Sequence, residues 1–180
     1  MLKRLQQDHR HIATLLKILR TKHIRLRDGD FVNFNLVRDI VEYMQGYAEH
    51  SHHPMEDLIY EYFSAKETGH ETSSRLAQEH IKLAEASRSL MVSLNLILSD
   101  VVVAKDKLAT ELEEYVHTQA LHMEYEESVV FPMLLAEMTE EDWQTIEELT
   151  VQKLIDDPLF SGNDNQLYED LRQYIATAES

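Results

Sequence analysis

Two stretches of the sequence place a histidine and a glutamate four residues apart. His52 precedes Glu56 in the first stretch, and His122 precedes Glu126 in the second. Because residues four apart on a helix lie on the same face, each pair can direct an imidazole and a carboxylate to one point. A single pair of this kind usually indicates only a hydrogen bond on a solvated face. Two pairs on apolar stripes instead suggest metal ligands, which helix bundles supply from facing helices.

Two further histidines stand where leucines are expected. The stripe of the first predicted helix contains Leu2, Leu5, His9, Ile12, Leu16, Leu19, His23 and Leu26. The stripe of the third predicted helix places His80 between Leu76 and Leu83. Steps of three and four residues are typical of a helix that packs into a bundle. We therefore expect His9 and His80 to face the interior, although a lone buried histidine is more often a hydrogen-bonded core residue than a ligand.

The same stripes predict four long helices. The first ends at Asp28-Gly29-Asp30, where Gly29 suits the left-handed conformation of a helix C-terminus. The second is expected over about 33–66, closed by Gly69, and the fourth begins near Ala104. Low glycine and proline content, with four and three residues of 180, favours long uninterrupted helices over a turn-rich β fold. The fold class is therefore predicted to be all-α, with four helices running up, down, up and down.

Two prolines interrupt these stripes beside the His–Glu pairs. Pro54 lies inside the second helix, and Pro132 lies just beyond Glu126 in the fourth. Each proline removes a backbone donor, so we expect a kink or a loosened turn at both places.

Helix lengths predict that the polar residues meet. In the up-down-up-down arrangement, each lies about 20 residues from a connecting turn, or roughly 30 Å along its helix. Six side chains are then expected at one level, facing inward: His9, His52, Glu56, His80, His122 and Glu126. Burying six titratable groups is costly unless something compensates them, and a pair of metal ions does so directly. Imidazole and carboxylate without thiolate suit iron or manganese, with zinc a lesser alternative.

Composition excludes several classes of protein. The chain has no cysteine, which excludes disulfides, iron–sulfur clusters and thiol nucleophiles. The net charge of −16 argues against general nucleic-acid binding. The N-terminus lacks the apolar run of a signal peptide, and no segment reads as a membrane span, so we predict a soluble, cytoplasmic protein.

Residues 1–138 are predicted to form the bundle, and residues 139–180 a helical C-terminal extension packed on it. In the extension, Thr139 is expected to cap a helix reaching about Leu154, and a last helix is expected from about Gln166. Residues 1–28 hold eight of the 17 lysines and arginines. This basic first helix is either a solvated face among acidic neighbours or a docking surface for a protein partner.

The residues at these positions resemble those of the hemerythrin-like family, named for its His–His–Glu cation-binding motif. The resemblance covers about residues 1–138 and is carried by Asp8-His9, His52-His-Pro-Met-Glu56, Glu79-His80, His122-Met-Glu-Tyr-Glu-Glu127 and Val130-Phe-Pro132. It implies a four-helix bundle that holds two non-haem iron ions. In such a centre, Glu56 and Glu126 would bridge the ions, and the four histidines would be terminal ligands.

The sequence departs from the oxygen-carrying hemerythrins in two ways. Those proteins have two histidines one turn apart on the third helix, but Leu76 and Ala84 occupy the positions four residues from His80. They also use an aspartate five residues after the fourth-helix histidine, where this chain uses Glu126 at four. His53 is the best candidate for a fifth imidazole, although a regular helix directs it about 100° away from His52. The sequence leaves this question open.

The resemblance and the reduced ligand set together imply a vacant coordination position on one iron. We therefore expect a protein that binds or senses oxygen, nitric oxide or peroxide, with neither nucleic acid nor membrane as a partner. The alternatives are a di-iron peroxidase or ferroxidase, and an iron-responsive regulatory module. The sequence does not decide whether the chain is an enzyme, and it leaves the oligomeric state open.

Overall fold

The structure is a computed structural model that describes residues 1–66, 70–151, 155–160 and 168–178. Throughout these ranges the regular elements are helical, with no strand, which confirms the predicted all-α class. The α-helices are α1 (Leu2–Asp28), α2 (Phe34–Tyr43), α3 (His53–Lys66), α4 (His70–Leu98), α5 (Lys105–Tyr125), α6 (Phe131–Glu137), α7 (Glu140–Thr150) and α8 (Glu169–Ala178). Gly69, Leu154 and Gln166, where we predicted helix boundaries, lie outside the described residues.

Two π-helical segments join α-helices end to end. The first, Met44–His52, connects α2 to α3, and the second, Glu126–Val130, connects α5 to α6. The backbone therefore stays helical from residue 34 to residue 66, as the second predicted helix requires, but its hydrogen-bond pattern changes midway.

Helix α1 packs along α5, α4 packs along α5, and α2 and α3 both pack against α4. Gly29 ends α1 with φ at 83°, and its N–H bonds back to the last turn, as the sequence predicted. No helix in the described ranges is long and apolar enough to cross a membrane.

The apolar interior is divided into two clusters. The larger cluster includes Ile12 of α1 and Ala48 of the first π-helical segment, and the smaller includes Leu5 of α1 and Ile59 of α3. His9 lies between Leu5 and Ile12 in the sequence of α1, and the layer of polar side chains separates the two clusters. Apolar packing above and below thus fixes the helices that carry this layer.

The C-terminal part of the chain packs on these helices. Helix α7 begins at a capping box between Thr139 and Asp142 and packs against α3, while α8 packs against α2. Between them, the Asp157 carboxylate accepts the Tyr43 hydroxyl at 3.0 Å and lies 3.0 Å from Nδ1 of His11. The extension therefore contacts the bundle through buried polar bonds as well as through apolar side chains.

Candidate metal centre

The structure brings together the six side chains that the sequence singled out. Glu56 and Glu126 are completely buried, and the four histidines are at most 6% exposed: His9, His52, His80 and His122. They come from α1, the two His–Glu stretches and α4, and they converge on one point between the apolar clusters. This convergence is what the spacing of the residues predicts.

The Glu56 carboxylate lies among histidines from three different elements. Its Oε1 is 3.2 Å from Nε2 of His52 and 3.5 Å from Nε2 of His9. Its Oε2 is 3.5 Å from Nε2 of His80. The two oxygens of Glu56 thus face two different groups of imidazoles.

Glu126 approaches the same centre from the other side. Its Oε2 lies 3.4 Å from Nε2 of His9 and 3.3 Å from Nε2 of His122. Its Oε1 accepts a 2.8 Å hydrogen bond from the Tyr60 hydroxyl, which is also buried. Tyr60 therefore fixes one oxygen of this carboxylate and leaves the other directed at the histidines.

Each of the four histidines is held from behind by a second carboxylate. The distances from histidine Nδ1 to carboxylate oxygen are His9–Glu127 3.0 Å, His52–Asp8 3.1 Å, His80–Asp57 2.8 Å and His122–Glu79 3.0 Å. A carboxylate that accepts the Nδ1 proton leaves the Nε2 lone pair of a neutral imidazole free. All four Nε2 atoms point into the centre, so the pairs orient the rings for metal binding.

Glu127 occupies the position five residues after His122, where the oxygen carriers have an aspartate ligand. In this structure it lies behind His9, and its side chain is half exposed. Glu126 at four residues, by contrast, has no exposed surface. At the two positions where this chain departs from the oxygen carriers, the carboxylate at four residues, Glu126, is therefore inside the centre, and the carboxylate at five residues, Glu127, is outside it.

Several buried atoms at the centre have no hydrogen-bond partner. Within the described residues these are His9 Nε2, His53 Nε2, Glu56 Oε1, Glu56 Oε2 and Glu126 Oε2. Buried polar atoms are almost always satisfied, so a cluster of unsatisfied nitrogen and oxygen atoms facing one point needs an explanation. Cations bound between them would satisfy all five, and the donor set therefore fits a metal centre.

His53 also belongs to this layer. It is 4% exposed, and its ring stacks on that of His80 with the ring centres 4.2 Å apart. The metal-ligating atoms of His53, Glu56, His80 and His122 all lie within 4.8 Å of one another. Glu56 follows His53 by three residues and His52 by four, and both spacings share a helix face. The spacing of three residues between His53 and Glu56 is therefore the sequence signal that places His53 in the same layer as the other imidazoles.

The π-helical segments lie where the two prolines were expected to loosen the helix. The N–H of His53, just before Pro54, bonds to the Ala48 carbonyl five residues back. The N–H of Phe131, just before Pro132, bonds in the same way to the Glu126 carbonyl. A proline cannot make the usual bond to the fourth preceding residue, and a widened turn accommodates it. The prediction of loosened turns is confirmed, and such turns are frequent at functional sites.

The remaining histidines do not join the centre. His23 is buried, and its Nε2 lies 3.7 Å from a Glu113 oxygen. His50 and His117 are exposed, as predicted. His70 lies at the edge of the described residues, and its side chain is outside them.

The electrostatics of the metal-free centre favour the protonated form of His9, His52 and His80. Burial alone would lower the pKa of His9, but Glu126 and Glu56 raise this pKa to about 10. The pKa of His52 rises to about 9 and that of His80 to about 10, against burial, through their carboxylate partners. The pKa of Glu56 stays well below its ordinary range despite burial, because His52, His80 and His9 surround it.

His53 shows the opposite behaviour. Burial lowers the pKa of His53 well below its ordinary range, and the neighbouring charge on His80 lowers it further. This imidazole is therefore neutral, with its Nε2 unpartnered. A neutral imidazole is the form that binds metal.

The geometry agrees with a comparison against known families. The profile of the hemerythrin HHE cation-binding domain matches residues 1–134, which are most of the chain. The chain belongs to the hemerythrin HHE cation-binding domain family. A search of curated proteins and a search of solved structures each returned no match. Membership of this hemerythrin family implies cation binding, and the two fully buried His–Glu clusters, unlike the partly exposed group of Asp8, His11 and Asp157, supply such a site from the matched region alone.

The raised histidine pKa values predict how the metal-free hemerythrin domain responds to pH. The folded-state pKa values of about 9 to 10 exceed the ordinary value of 6.5. The resulting stabilisation is complete below about pH 6.5 and is lost as the pH rises through about 9 to 10. We expect the melting temperature of the metal-free protein to fall by more than about 5 °C between about pH 7 and pH 9.5.

Thermal denaturation in chelator, followed by circular dichroism, measures this effect. The variant E56Q is the control, because it removes a carboxylate that raises these pKa values and should flatten the pH dependence. An unchanged melting temperature across this range in the wild-type protein would contradict the charge assignment.

Proposed function

We propose that this hemerythrin domain binds two non-haem iron ions bridged by Glu56 and Glu126, and that it binds or senses oxygen, nitric oxide or peroxide there. The observation that carries the proposal is the cluster of buried, unpartnered nitrogen and oxygen atoms facing one centre. In the same proposal, the ligands come from four helices that run up, down, up and down.

Two ligand groups share Glu56, which supports a pair of ions. One group is His9, His52 and Glu56, and the other is His53, Glu56, His80 and His122. In each group the ligating atoms lie within 4.8 Å of one another. Glu126 adds a second carboxylate between the groups, because the same oxygen is near His9 of the first group and His122 of the second.

The donor chemistry favours iron. Imidazole and carboxylate ligands without thiolate suit iron and manganese, and zinc is the less favoured alternative. An iron pair, when bound, supplies reversible coordination of small diatomic molecules and redox reactivity toward peroxide. The chain itself holds the imidazoles in one orientation, through the four outer carboxylates, and excludes bulk water with the apolar clusters on both sides.

A small cavity leads from the surface to one side of the centre. It has a volume of about 270 Å³ and is lined by residues of α3 and α4 that include His53, Pro54, Asp57 and His80. A diatomic molecule or peroxide fits this space, whereas a large substrate does not. The cavity therefore supports a small ligand rather than an extended one.

Anaerobic reconstitution with ferrous iron tests the proposal. We expect about two ions per chain and a new ligand-to-metal absorption band when oxygen, nitric oxide or peroxide is added. Fewer than about one ion per chain after full iron supply would refute the di-iron centre. Two ions without any spectral response to the three small molecules would refute the sensing or binding role.

Replacement of His53 tests whether it completes one ligand group. The variant H53F keeps a ring of similar shape but removes the unpartnered Nε2. We expect the affinity for one ion to fall at least about tenfold, or roughly 1.4 kcal/mol, while the affinity for the other is unchanged. Iron titration followed by absorbance separates the two affinities. The matched control is H50F, which changes an exposed histidine, and equal affinities in H53F and wild type would make His53 a core residue only.

A further inference from the structure

A second cavity, distinct from the small one beside His53, follows the interface between α1 and α5. It has a volume of about 650 Å³, within the range of small-molecule binding sites. Its floor is apolar and consists of Ala13, Leu16, Ala120 and Met123. We call it the α1–α5 groove.

The wall contributed by α1 is cationic. Arg10, Lys17 and Arg20 line the groove, in a chain whose net charge is −16. Within the described residues, none of the three forms a salt bridge with a carboxylate. Arg10 donates a hydrogen bond to the Gln7 side chain, which is neutral. In a protein with this many carboxylates, most lysines and arginines are expected to form salt bridges. Because these three side chains do not, their positive charge is available to an anionic ligand.

Two contacts fix how α1 and α5 face each other. Nδ1 of His9 lies 3.0 Å from Glu127, and Nε2 of His23 lies 3.7 Å from Glu113. His9 and His23 are 14 residues apart in the chain, and so are their partners Glu127 and Glu113, but the partners follow in the reverse order. The two helices are therefore antiparallel. Lys17 and Arg20 consequently lie at the opposite end of the groove from Glu124 and Glu127.

The groove is thus polarised along its length. One end carries Lys17 and Arg20, and the other carries Glu124 and Glu127 beside Arg10, with the apolar floor between. Seven residues separate Ala13 from Arg20, which corresponds to about 10 Å along the helix. An elongated ligand with one anionic head and an apolar body of that length matches both the charge and the floor.

We propose that the α1–α5 groove binds a medium-chain alkyl carboxylate, with its carboxylate at Lys17 and Arg20 and its chain on Leu16 and Met123. The arginine fork and the lysine ammonium are suited to a carboxylate. The alkyl chain covers the exposed side chain of Ala13 and packs against the nearly buried Leu16 and Met123. This site touches the metal centre only at the outer edge of His9 and at Glu127, which holds His9 from behind, and its head group and chain positions need no metal.

Isothermal titration of the full-length, iron-reconstituted protein with decanoate tests the proposal. We expect saturable binding of one decanoate per groove, and no binding of decyltrimethylammonium, which has the same chain and the opposite charge. Decanol is the third ligand, and it should bind at least about tenfold more weakly than decanoate. Equal binding of decanol and decanoate would overturn the role of the cations, and no decanoate binding would overturn the site.

Charge reversal locates the head group. The double variant K17E/R20E should lose at least about tenfold in decanoate affinity. The matched control is K82E/R88E, which makes the same charge change at two exposed positions of α4. An equal loss in both variants would mean that decanoate responds only to overall charge and would overturn the assignment.

A steric variant locates the alkyl chain. Ala13 is exposed at the groove, so A13W should fill the floor without disturbing the interior and should abolish decanoate binding. The control A136W places the same side chain at an exposed position of α6. Circular dichroism melting confirms folding of each variant. Retained decanoate binding in folded A13W would overturn the proposal. Sedimentation velocity provides a second test: a wild-type dimer that A13W converts to a monomer would show that a second copy of the chain fills the groove, which would also overturn the proposal.

Discussion

Replacement of Glu56 by alanine should disrupt the binding of both ions of the proposed iron pair. Glu56 is completely buried and belongs to both ligand groups, so its loss removes a ligand from each ion at once. We expect iron binding to fall from about two ions per chain to fewer than about one. Metal analysis after anaerobic reconstitution and desalting measures the change.

The control for this prediction is E61A, which removes an exposed carboxylate from the same helix α3. It should retain the full iron content of the wild-type protein. The metal-free E56A protein should also lose part of the raised histidine pKa values, because Glu56 is a cause of the raised pKa of His9, His52 and His80. Two ions per chain in E56A would show that Glu56 is not the shared ligand.

Replacement of Asp8 by alanine should weaken both the fold and the metal site, although Asp8 does not face the centre. Asp8 is 4% exposed, and its two oxygens accept the Tyr47 hydroxyl at 3.1 Å and face Nδ1 of His52 at 3.1 Å. Alanine leaves both buried partners unsatisfied, which we expect to cost about 3 kcal/mol of unfolding free energy. Loss of such an outer carboxylate should also weaken metal binding roughly 10- to 100-fold.

Urea denaturation of the metal-free protein and competitive iron titration measure the two effects separately. The variant D8N is the conservative comparison, because an amide can still accept one of the two hydrogen bonds. D8N should fall between wild type and D8A in both measurements. A stable D8A protein with wild-type iron affinity would show that Asp8 neither supports Tyr47 nor orients His52.

The inner residues of the centre could be predicted because they obey simple helix spacing. His9 and His80 replace leucines in apolar stripes, and the two His–Glu pairs are four residues apart. Their burial follows from the stripes alone. The all-α class followed from the same periodicity and from the scarcity of glycine and proline.

The outer carboxylates could not be predicted in the same way. Glu127 holds His9 from a different helix, and Asp57 holds His80 across the α3–α4 interface. Such pairs depend on the rotation of neighbouring helices about their axes, which a single sequence does not specify. Asp157 is a similar case, since its bonds to Tyr43 and His11 join segments more than 100 residues apart.

The sequence leaves the role of His53 open for a different reason. A regular helix directs His53 away from His52, but the relevant neighbour is Glu56, three residues further on. The adjacent π-helical segment ends at His52, so the regular α-helical spacing starts again at His53 itself. Pro54 signalled a loosened turn, but a proline does not reveal which neighbouring side chains the turn redirects.

The carboxylates that surround the histidines also set the redox preference of any iron pair held there. Six carboxylates lie in contact with the imidazole layer: Glu56, Glu126, Asp8, Asp57, Glu79 and Glu127. Among the described residues, Glu79 is the one of these six carboxylates that forms a salt bridge with an arginine or lysine, through Arg75 at 2.7 Å. This excess of negative charge would favour ferric over ferrous ions in the proposed iron pair, because the more highly charged ion gains more from it. If the proposed iron pair is bound there, its reduction potential should therefore be low.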